Sequence, residues 1–199
     1  MGYTSFDRFV ARCRFRAALP HVRQDARVCD IGCGLNAEFL RFARARIRFG
    51  VGLDYQVTAT GEQRGAVVCA NITRGLPIRS GSFDHAVLLA VLEHLKDPGA
   101  LLREIHRILV PGGSLIMTWP SGVVDSILIV TRAIGWTSPD MESEEHVARI
   151  PVETLIGALS QIGFDGFVHK TFELGLNNLL VAHKPGARTT GGKIEEKRT

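Results

Sequence analysis

The segment from Val28 to Ala37 carries the residues of this chain that are best suited to hold a small molecule. It reads Val-Cys-Asp-Ile-Gly-Cys-Gly-Leu-Asn-Ala, an apolar strand that runs into a glycine turn and then into a helix. Glycine permits a tight turn and lets a ligand lie against bare backbone, where amides at the start of the helix can donate hydrogen bonds. A ligand is therefore expected at the carboxyl end of this strand.

Acidic residues at the ends of two successive strands narrow the choice of ligand. Asp54 follows Gly34 by 20 residues, the spacing at which dinucleotide-binding folds place a ribose-binding acid. Because S-adenosylmethionine also contains adenosine, Asp54 suits both cofactors. Asp30 stands directly before the turn, where its carboxylate would repel a pyrophosphate and attract a sulfonium cation. The sign of this charge favours S-adenosylmethionine over a nicotinamide dinucleotide.

Strands and helices alternate along most of the chain. The predicted strands are Val28–Asp30, Val51–Asp54, Val67–Ala70, Phe83–Leu89, Ser114–Trp119, Phe167–Phe172 and Leu179–His183. The predicted helices between them are Ala37–Arg46, Pro98–Leu109 and Pro151–Ile162. This alternation predicts an α/β, Rossmann-like, mostly parallel seven-stranded sheet with helices on both faces, and ligands beyond the carboxyl ends of the strands.

The length and composition of the chain predict one domain with two flanking features. The chain has 199 residues, 45% of them hydrophobic, which fits a single domain over residues 1–184. Residues 1–26 are predicted to hold a basic amphipathic helix, because apolar residues recur at helical spacing between arginines. Residues 121–150, largely apolar from Val123 to Trp136, are interpreted as a lid or acceptor-binding segment. Residues 185–199 have nothing to bury and are predicted to be disordered.

Charge and cysteine content bear on the partners of the protein. The net charge of +4 comes from two arginine-rich stretches, a pattern more typical of solvated helix faces than of a nucleic-acid site. The four cysteines form no CxxC pair, which suits reduced thiols in the cytosol and does not indicate zinc. No stretch approaches the roughly 20 apolar residues that cross a bilayer. A soluble, cytoplasmic protein is predicted.

Four short sequence blocks are informative when their order and spacing along the chain are read together. They are Asp30–Gly34; Gly52–Asp54; Leu76–Ile78, leading to Ser82–Asp84 and Leu92–Leu95; and Arg107–Gly113. Together they resemble the class I S-adenosylmethionine-dependent methyltransferases, in the branch similar to enzymes of ubiquinone and menaquinone biosynthesis. The resemblance covers roughly residues 6–184 and implies a sheet whose last strand is antiparallel, with S-adenosylmethionine as the cofactor.

The resemblance also implies which residues would contact that cofactor. They are Asp30, Gly32, Cys33, Gly34, Asp54, Tyr55, Asn71, Ile72 and Leu89. The two glycines would line its methionine portion, Asp54 would hold its ribose, and Leu89 would touch the transferring methyl. Asn71 stands where the family usually binds adenine through an acid, and Asn36 stands where many members have a third glycine. Both departures predict weaker cofactor binding, because an amide is a weaker acceptor and a side chain narrows the pocket.

Glu93 and His94 follow the fourth predicted strand, beside the expected position of methyl transfer. A histidine there could remove a proton from a hydroxyl acceptor, while the alternative interpretation is a structural pair that caps a helix or bonds to the sheet. Displacement at a sulfonium methyl depends chiefly on alignment, so no base is obligatory. Some quinone-type relatives carry a metal-binding glutamate where this chain has Ala90, so no metal is predicted.

Several functions are compatible with these residues. The resemblance implies O- or C-methylation of a small-molecule acceptor of quinone-like, lipid or sugar-derived type. The apolar Val123–Trp136 and the basic first helix would suit a lipophilic acceptor and peripheral membrane contact, although burial within the domain or a dimer explains them equally. The alternatives are an NAD(P)-dependent oxidoreductase and a non-catalytic cofactor-binding scaffold. Nucleic acid is not expected, because Leu89–Leu92 lacks polar groups that could read a base.

Overall fold

The computed structural model describes residues 5–57, 60–62, 65–95, 97–121 and 151–186, and its core is one eight-stranded sheet. The strands are β1 (Ala26–Ile31), β2 (Ile47–Asp54), β3 (Thr60–Glu62), β4 (Gly65–Cys69), β5 (Phe83–Leu89), β6 (Leu109–Pro120), β7 (Asp165–Phe172) and β8 (Asn177–His183). The helices are α1 (Ser5–Ala18), α2 (Glu38–Ala43), α3 (Pro98–Ile108) and α4 (Val152–Ile162).

The strand order is β3-β4-β2-β1-β5-β6-β8-β7. The five strands from β4 to β6 in this order are parallel, whereas β8 is antiparallel to both of its neighbours. The predicted α/β sheet with an antiparallel last strand is therefore confirmed. The sheet has one strand more than the seven predicted, because β3 adds an antiparallel edge to β4. Its sequence Thr-Gly-Glu has no apolar alternation by which it could be detected.

Apolar side chains cover both faces of the sheet. Alternate residues of β5 divide between two clusters: Ala86 and Leu88 pack on the face that carries α3 and α4, while Val87 packs on the face that carries α1 and α2. A strand buried on both faces has a continuous apolar sequence, which is why these strands were recognisable. The two faces are closed by helices, so a ligand has to reach the sheet at an edge where its strands end.

Helix α3 begins and ends where its sequence predicts. The side chain of Asp97 accepts a hydrogen bond from the Gly99 amide at 2.9 Å, and Pro98 occupies the first helical position. At the other end, Glu104 and Arg107 hold the preceding loop: Glu104 accepts from the Leu76 amide, and Arg107 donates to the Leu76 carbonyl at 3.1 Å. Leu76 and Arg107 belong to two of the four sequence blocks named above, and these two blocks thus contact each other. The role of this contact is structural.

The amino-terminal edge of the sheet is closed by its own polar network. Asp84 accepts hydrogen bonds from the backbone and guanidinium of Arg27, which lower its pKa although burial opposes the change. His85 is buried; its Nε2 accepts from the Arg23 amide, so its Nδ1 donates to Ser114 Oγ at 2.7 Å. Burial, together with the charge of Arg23, lowers the pKa of His85 to about 4. This histidine is a neutral structural group.

Several predicted features extend beyond the described residues. The predicted first helix is seen as α1. Of the predicted segment 121–150, the structure describes residue 121 alone, and of the predicted tail it describes residues 185 and 186. None of the helices in the described ranges combines the length and the apolar character that a membrane span requires.

Candidate functional site

The residues singled out from the sequence meet at the carboxyl edge of the parallel strands. Asp30 in β1 pairs with Gly52 in β2 and with Val87 in β5, so the ends of these three strands lie side by side. The turn after β1 is anchored to β2, because the Gly32 amide donates to the Leu53 carbonyl at 2.8 Å. The site is therefore assembled from several loops over one edge of the sheet, as expected for an open α/β fold.

The two glycines of the turn differ in what surrounds them. Both have a positive φ, 74° for Gly32 and 67° for Gly34. A Cβ at Gly32 would lie 2.4 Å from Val91 Cγ2, so this glycine is required by packing. A Cβ at Gly34 would meet no atom within 4 Å, so this stretch of backbone faces open space. Gly34 is thus the part of the turn against which a ligand can lie.

Asp54 links the end of β2 to the glycine turn. Its Oδ2 accepts from the Gly34 amide at 2.9 Å, and its Oδ1 accepts from the Gln56 amide at 3.0 Å. The carboxylate is half-buried and lies at the strand end where the sequence predicts a ribose-binding acid. Each carboxylate oxygen has further lone pairs, so these bonds leave room for ribose hydroxyls.

Asp30 is 2% exposed, and its Oδ2 has no hydrogen-bond partner among the described residues. Burial, followed by the neighbouring charge of Asp54, raises the pKa of Asp30 to about 7. A buried carboxylate without a partner is costly, and a cation placed next to it would offset that cost. This unpartnered oxygen and the open backbone at Gly34 fit a ligand that carries a positive charge.

The predicted adenine position has an unexpected arrangement. Asn71 Oδ1 accepts from the Thr73 amide at 3.0 Å and from Thr73 Oγ1 at 2.7 Å, and so caps a short 3₁₀ turn at Ile72–Arg74. The same oxygen would have to give up one of these bonds to accept from adenine. A cavity of about 610 Å³ opens beside Asn71, between this turn and Glu104 of α3. The adenine-binding roles of Asn71 and Ile72 stay predictions.

The remaining predicted site residues lie around the same edge. Leu89 is half-buried at the end of β5, and Tyr55 is 68% exposed after β2. A 3₁₀ turn at Leu92–His94 holds a half-buried Glu93 and an exposed His94. The structure places this pair at the carboxyl edge of the sheet, and both its catalytic and its structural interpretation stay predictions.

Cys33 in the turn and Gly52 in β2 fit tightly against each other, and the sequence alone assigned no cofactor contact to Gly52. A Cβ at Gly52 in β2 would lie 2.7 Å from Cys33 Sγ, so only glycine leaves room for this thiol. Burial, and then the charges of Asp30 and Asp54, raise the pKa of Cys33 to about 12. Cys33 is therefore a protonated packing residue of the site and not a nucleophile. Isolated glycines inside a strand are the sequence signal that could have identified Gly52.

We predict that Gly34→Ala weakens S-adenosylmethionine binding roughly 10-fold or more, because the added methyl group would occupy the space above the bare backbone. The matched control is Gly112→Ala, at φ 77° and also with no atom within 4 Å of the new Cβ. Both variants should lose a similar 1–2 kcal/mol of stability, to order of magnitude, from the left-handed backbone. Thermal unfolding and calorimetric titration would check this; equal loss of affinity in both variants would contradict it.

Comparisons with known proteins agree on one class. Residues 29–117 match the family model described as a methyltransferase domain. A probable S-adenosylmethionine-dependent methyltransferase of Mycolicibacterium smegmatis is 30% identical over 105 residues, which are 50% of this chain and 40% of that protein. A ubiquinone biosynthesis O-methyltransferase of Xanthomonas oryzae is 28% identical over 113 residues, 47% of this chain and 42% of that protein. The chain thus spans less than half the length of these two curated relatives.

A solved structure extends the agreement to the fold. A putative methyltransferase of Haloferax volcanii, determined in complex with the Trm112 methyltransferase activator, superposes with a TM-score of 0.67 and 18% identity. The match covers 93% of this chain and 100% of the other. Residues 29–117 contain Asp30, both turn glycines, Asp54 and Leu89, so the matched region holds the carboxyl edge described above. Residues 29–117 of the chain therefore match a methyltransferase domain, and the chain is similar to S-adenosylmethionine-dependent methyltransferases.

Proposed function

We propose that this protein transfers the methyl group of S-adenosylmethionine to a small-molecule acceptor and releases S-adenosylhomocysteine. The observation that carries the proposal is the buried Asp30 carboxyl, with an oxygen that lacks a partner among the described residues, beside the open backbone at Gly34. The cofactor, when bound, supplies an electrophilic methyl group on a positively charged sulfur. A buried anion next to a bare glycine turn is the arrangement that such a cation requires.

The residues of the chain would bind and orient rather than react. Asp54 would accept hydrogen bonds from the ribose, and the backbone at Gly34 would let the methionine portion approach closely. Leu89, apolar and half-buried at the end of β5, would keep water from the methyl group. Because displacement at a methyl group depends on alignment of the nucleophile, positioning supplies most of the expected acceleration. His94 or Glu93 would add general-base catalysis only where the acceptor is a hydroxyl.

The acceptor is proposed to be small, with O- or C-methylation of a quinone-like, lipid or sugar-derived compound. The sequence similarity to a ubiquinone biosynthesis O-methyltransferase supports this choice. The apolar segment at residues 123–136 supports a lipophilic acceptor and a peripheral membrane contact, as a property of the sequence.

A non-catalytic, cofactor-binding scaffold is the second candidate. It is favoured by Asn71, whose oxygen already accepts two bonds from Thr73. An NAD(P)-dependent oxidoreductase fits less well, since β8 runs antiparallel between β6 and β7 and departs from the parallel order of dinucleotide-binding sheets.

Calorimetric titration of the full chain with S-adenosylmethionine, S-adenosylhomocysteine, NADH and NADPH would test the proposal. We expect both sulfur ligands to bind and both nicotinamide ligands to fail. Mass spectrometry of phenol, quinol, fatty-acid and sugar acceptors should then show a gain of one methyl group with stoichiometric S-adenosylhomocysteine. Binding without turnover on any acceptor would favour the scaffold, and binding of the nicotinamide ligands alone would refute the methyltransferase assignment.

A further inference from the structure

A row of polar side chains crosses the carboxyl edge of the sheet, next to the cofactor residues. Asp30 pairs with Val87, Leu89 two residues later pairs with Thr118 in β6, and Thr118 pairs with Leu179 in β8. Asn177 lies two residues before Leu179, at the start of β8. Residues two apart in a strand, and residues paired across strands, share one face.

That face is the one covered by α1 and α2. Val87, Leu89 and Leu179 all pack in the cluster that these two helices close. Thr118 and Asn177 therefore point into the same layer, with Thr118 one strand, about 4.8 Å, away from Leu89. Glu173, in the turn between β7 and β8, joins the row because its Oε2 accepts a hydrogen bond from Asn177 Nδ2.

Three oxygens in this row are buried and have no hydrogen-bond partner among the described residues. They are Thr118 Oγ1, Asn177 Oδ1 and Glu173 Oε1, and Thr118 and Asn177 are only 0% and 4% exposed. Helix α1 reaches this row through Cys13, whose thiol donates a hydrogen bond to the Glu173 carboxylate, and the Nε of Arg14 in the same helix is likewise buried without a partner among the described residues. Native proteins rarely leave buried polar atoms unpaired, and each one costs stability comparable to a lost hydrogen bond.

The chemistry of the three oxygens identifies their missing partner. All of them can accept hydrogen bonds, and one belongs to a carboxylate, so the complementary group is positively charged and rich in donors. A primary ammonium group has three N–H donors and no acceptor. We propose that Thr118, Asn177 and Glu173 bind a primary ammonium group of the methyl acceptor; this inference rests on the proposed methyltransferase function.

The position explains how such a group would serve the reaction. The row begins at Asp30 and Leu89, which the proposed function places at the methionine end of the cofactor, and continues away from them through Thr118 to Asn177. An ammonium group held there would anchor one end of the acceptor while another atom of the same molecule faces the methyl group. The three side chains act as specificity-determining residues, because alignment of the acceptor depends on its anchored end.

Three phenols that differ only at the tail would test this inference: tyramine with an ammonium group, tyrosol with a hydroxyl, and 4-hydroxyphenylacetate with a carboxylate. Each is titrated calorimetrically into the full chain saturated with S-adenosylhomocysteine. We expect tyramine to bind about 10-fold more tightly than tyrosol, and 4-hydroxyphenylacetate to bind most weakly, because hydrogen bonds to charged groups are the stronger ones.

Two variants separate this role from a structural one. Thr118→Val removes the hydroxyl at constant shape, and Glu173→Gln removes the charge; each should weaken tyramine binding about 10-fold and leave S-adenosylhomocysteine binding unchanged. A purely structural hydroxyl without a partner predicts instead that Thr118→Val alters only the melting temperature. Glu153→Gln, at an exposed position in the first turn of α4, is the matched control for charge and should change nothing.

The outcomes distinguish this inference from the proposed function. Failure of S-adenosylhomocysteine to bind would refute the proposed function and this inference with it. Normal S-adenosylhomocysteine binding with equal affinities for the three phenols, with no tyramine binding, or with unchanged tyramine affinity in both variants would overturn the ammonium site alone.

Discussion

Replacement of Asp54 with alanine is expected to lower the affinity for S-adenosylmethionine by about 100-fold. The two carboxylate oxygens stand at the strand end where they can accept bonds from the ribose hydroxyls, and bonds to a charged acceptor are the stronger kind. The substitution also removes the acceptor of the Gly34 amide at 2.9 Å, so the glycine turn loses the contact that holds it against β2. Both effects reduce binding of the same ligand.

Isothermal calorimetry would measure this loss, with circular dichroism to show that the sheet is retained. Asp165→Ala is the matched control, because this aspartate is exposed at the amino end of β7, on the opposite edge of the sheet. Its affinity should equal that of the unaltered protein. An Asp54→Ala variant that binds with undiminished affinity would show that Asp54 does not hold the ribose.

Replacement of Asp30 with asparagine is expected to make the protein more stable at pH 8 and less able to bind S-adenosylmethionine. Burial raises the pKa of this carboxyl from 3.8 to about 7 in the folded state. The unfolded chain therefore releases the proton first as the pH rises, and the folded state loses stability between about pH 4 and pH 7. The loss at pH 8 is on the order of 4 kcal/mol, and asparagine, which does not ionise, avoids it.

Denaturant unfolding at pH 5 and pH 8 would measure this pH dependence of stability in both proteins. At pH 5 the folded state keeps Asp30 mostly protonated, so the two proteins should differ least there. At pH 8 the asparagine variant should unfold at a higher denaturant concentration. Equal pH dependence of stability in both proteins would mean that Asp30 is not the group that titrates.

Cofactor binding should respond to pH in the opposite direction. A sulfonium cation prefers the ionised carboxylate, so the affinity of the unaltered protein for S-adenosylmethionine should rise as the pH passes through about 7. The amino group of the ligand also titrates, and the ratio of affinities between the two proteins removes its contribution. S-adenosylhomocysteine, which lacks the sulfonium charge, should show a smaller ratio. A carboxyl that destabilises the empty protein and strengthens ligand binding is a functional group.

Much of the geometry of the candidate cofactor site could be predicted, because its residues follow from local rules. A glycine turn after an apolar strand specifies where the backbone is bare, and alternation of strands and helices specifies a parallel sheet whose strand ends share one edge. These rules bring Asp30, Gly34 and Asp54 together from the sequence alone, and the structure places them at that edge. Local backbone conformation and a buried, continuous apolar strand are both visible in short stretches of sequence.

Tertiary structure alone decided the features that depend on register and on distant neighbours. The pairing of Leu89 with Thr118 depends on the register between β5 and β6. Asn177 and Glu173 lie beside that pair because β8 inserts antiparallel between β6 and β7. The Thr73 amide donates a hydrogen bond to Asn71 Oδ1, the atom predicted to accept from adenine. This bond likewise belongs to one of several backbone conformations that the local sequence allows. A side chain's type and spacing determine which bonds it can make, but its partner depends on which strands lie next to it, and that is decided by packing of the whole sheet.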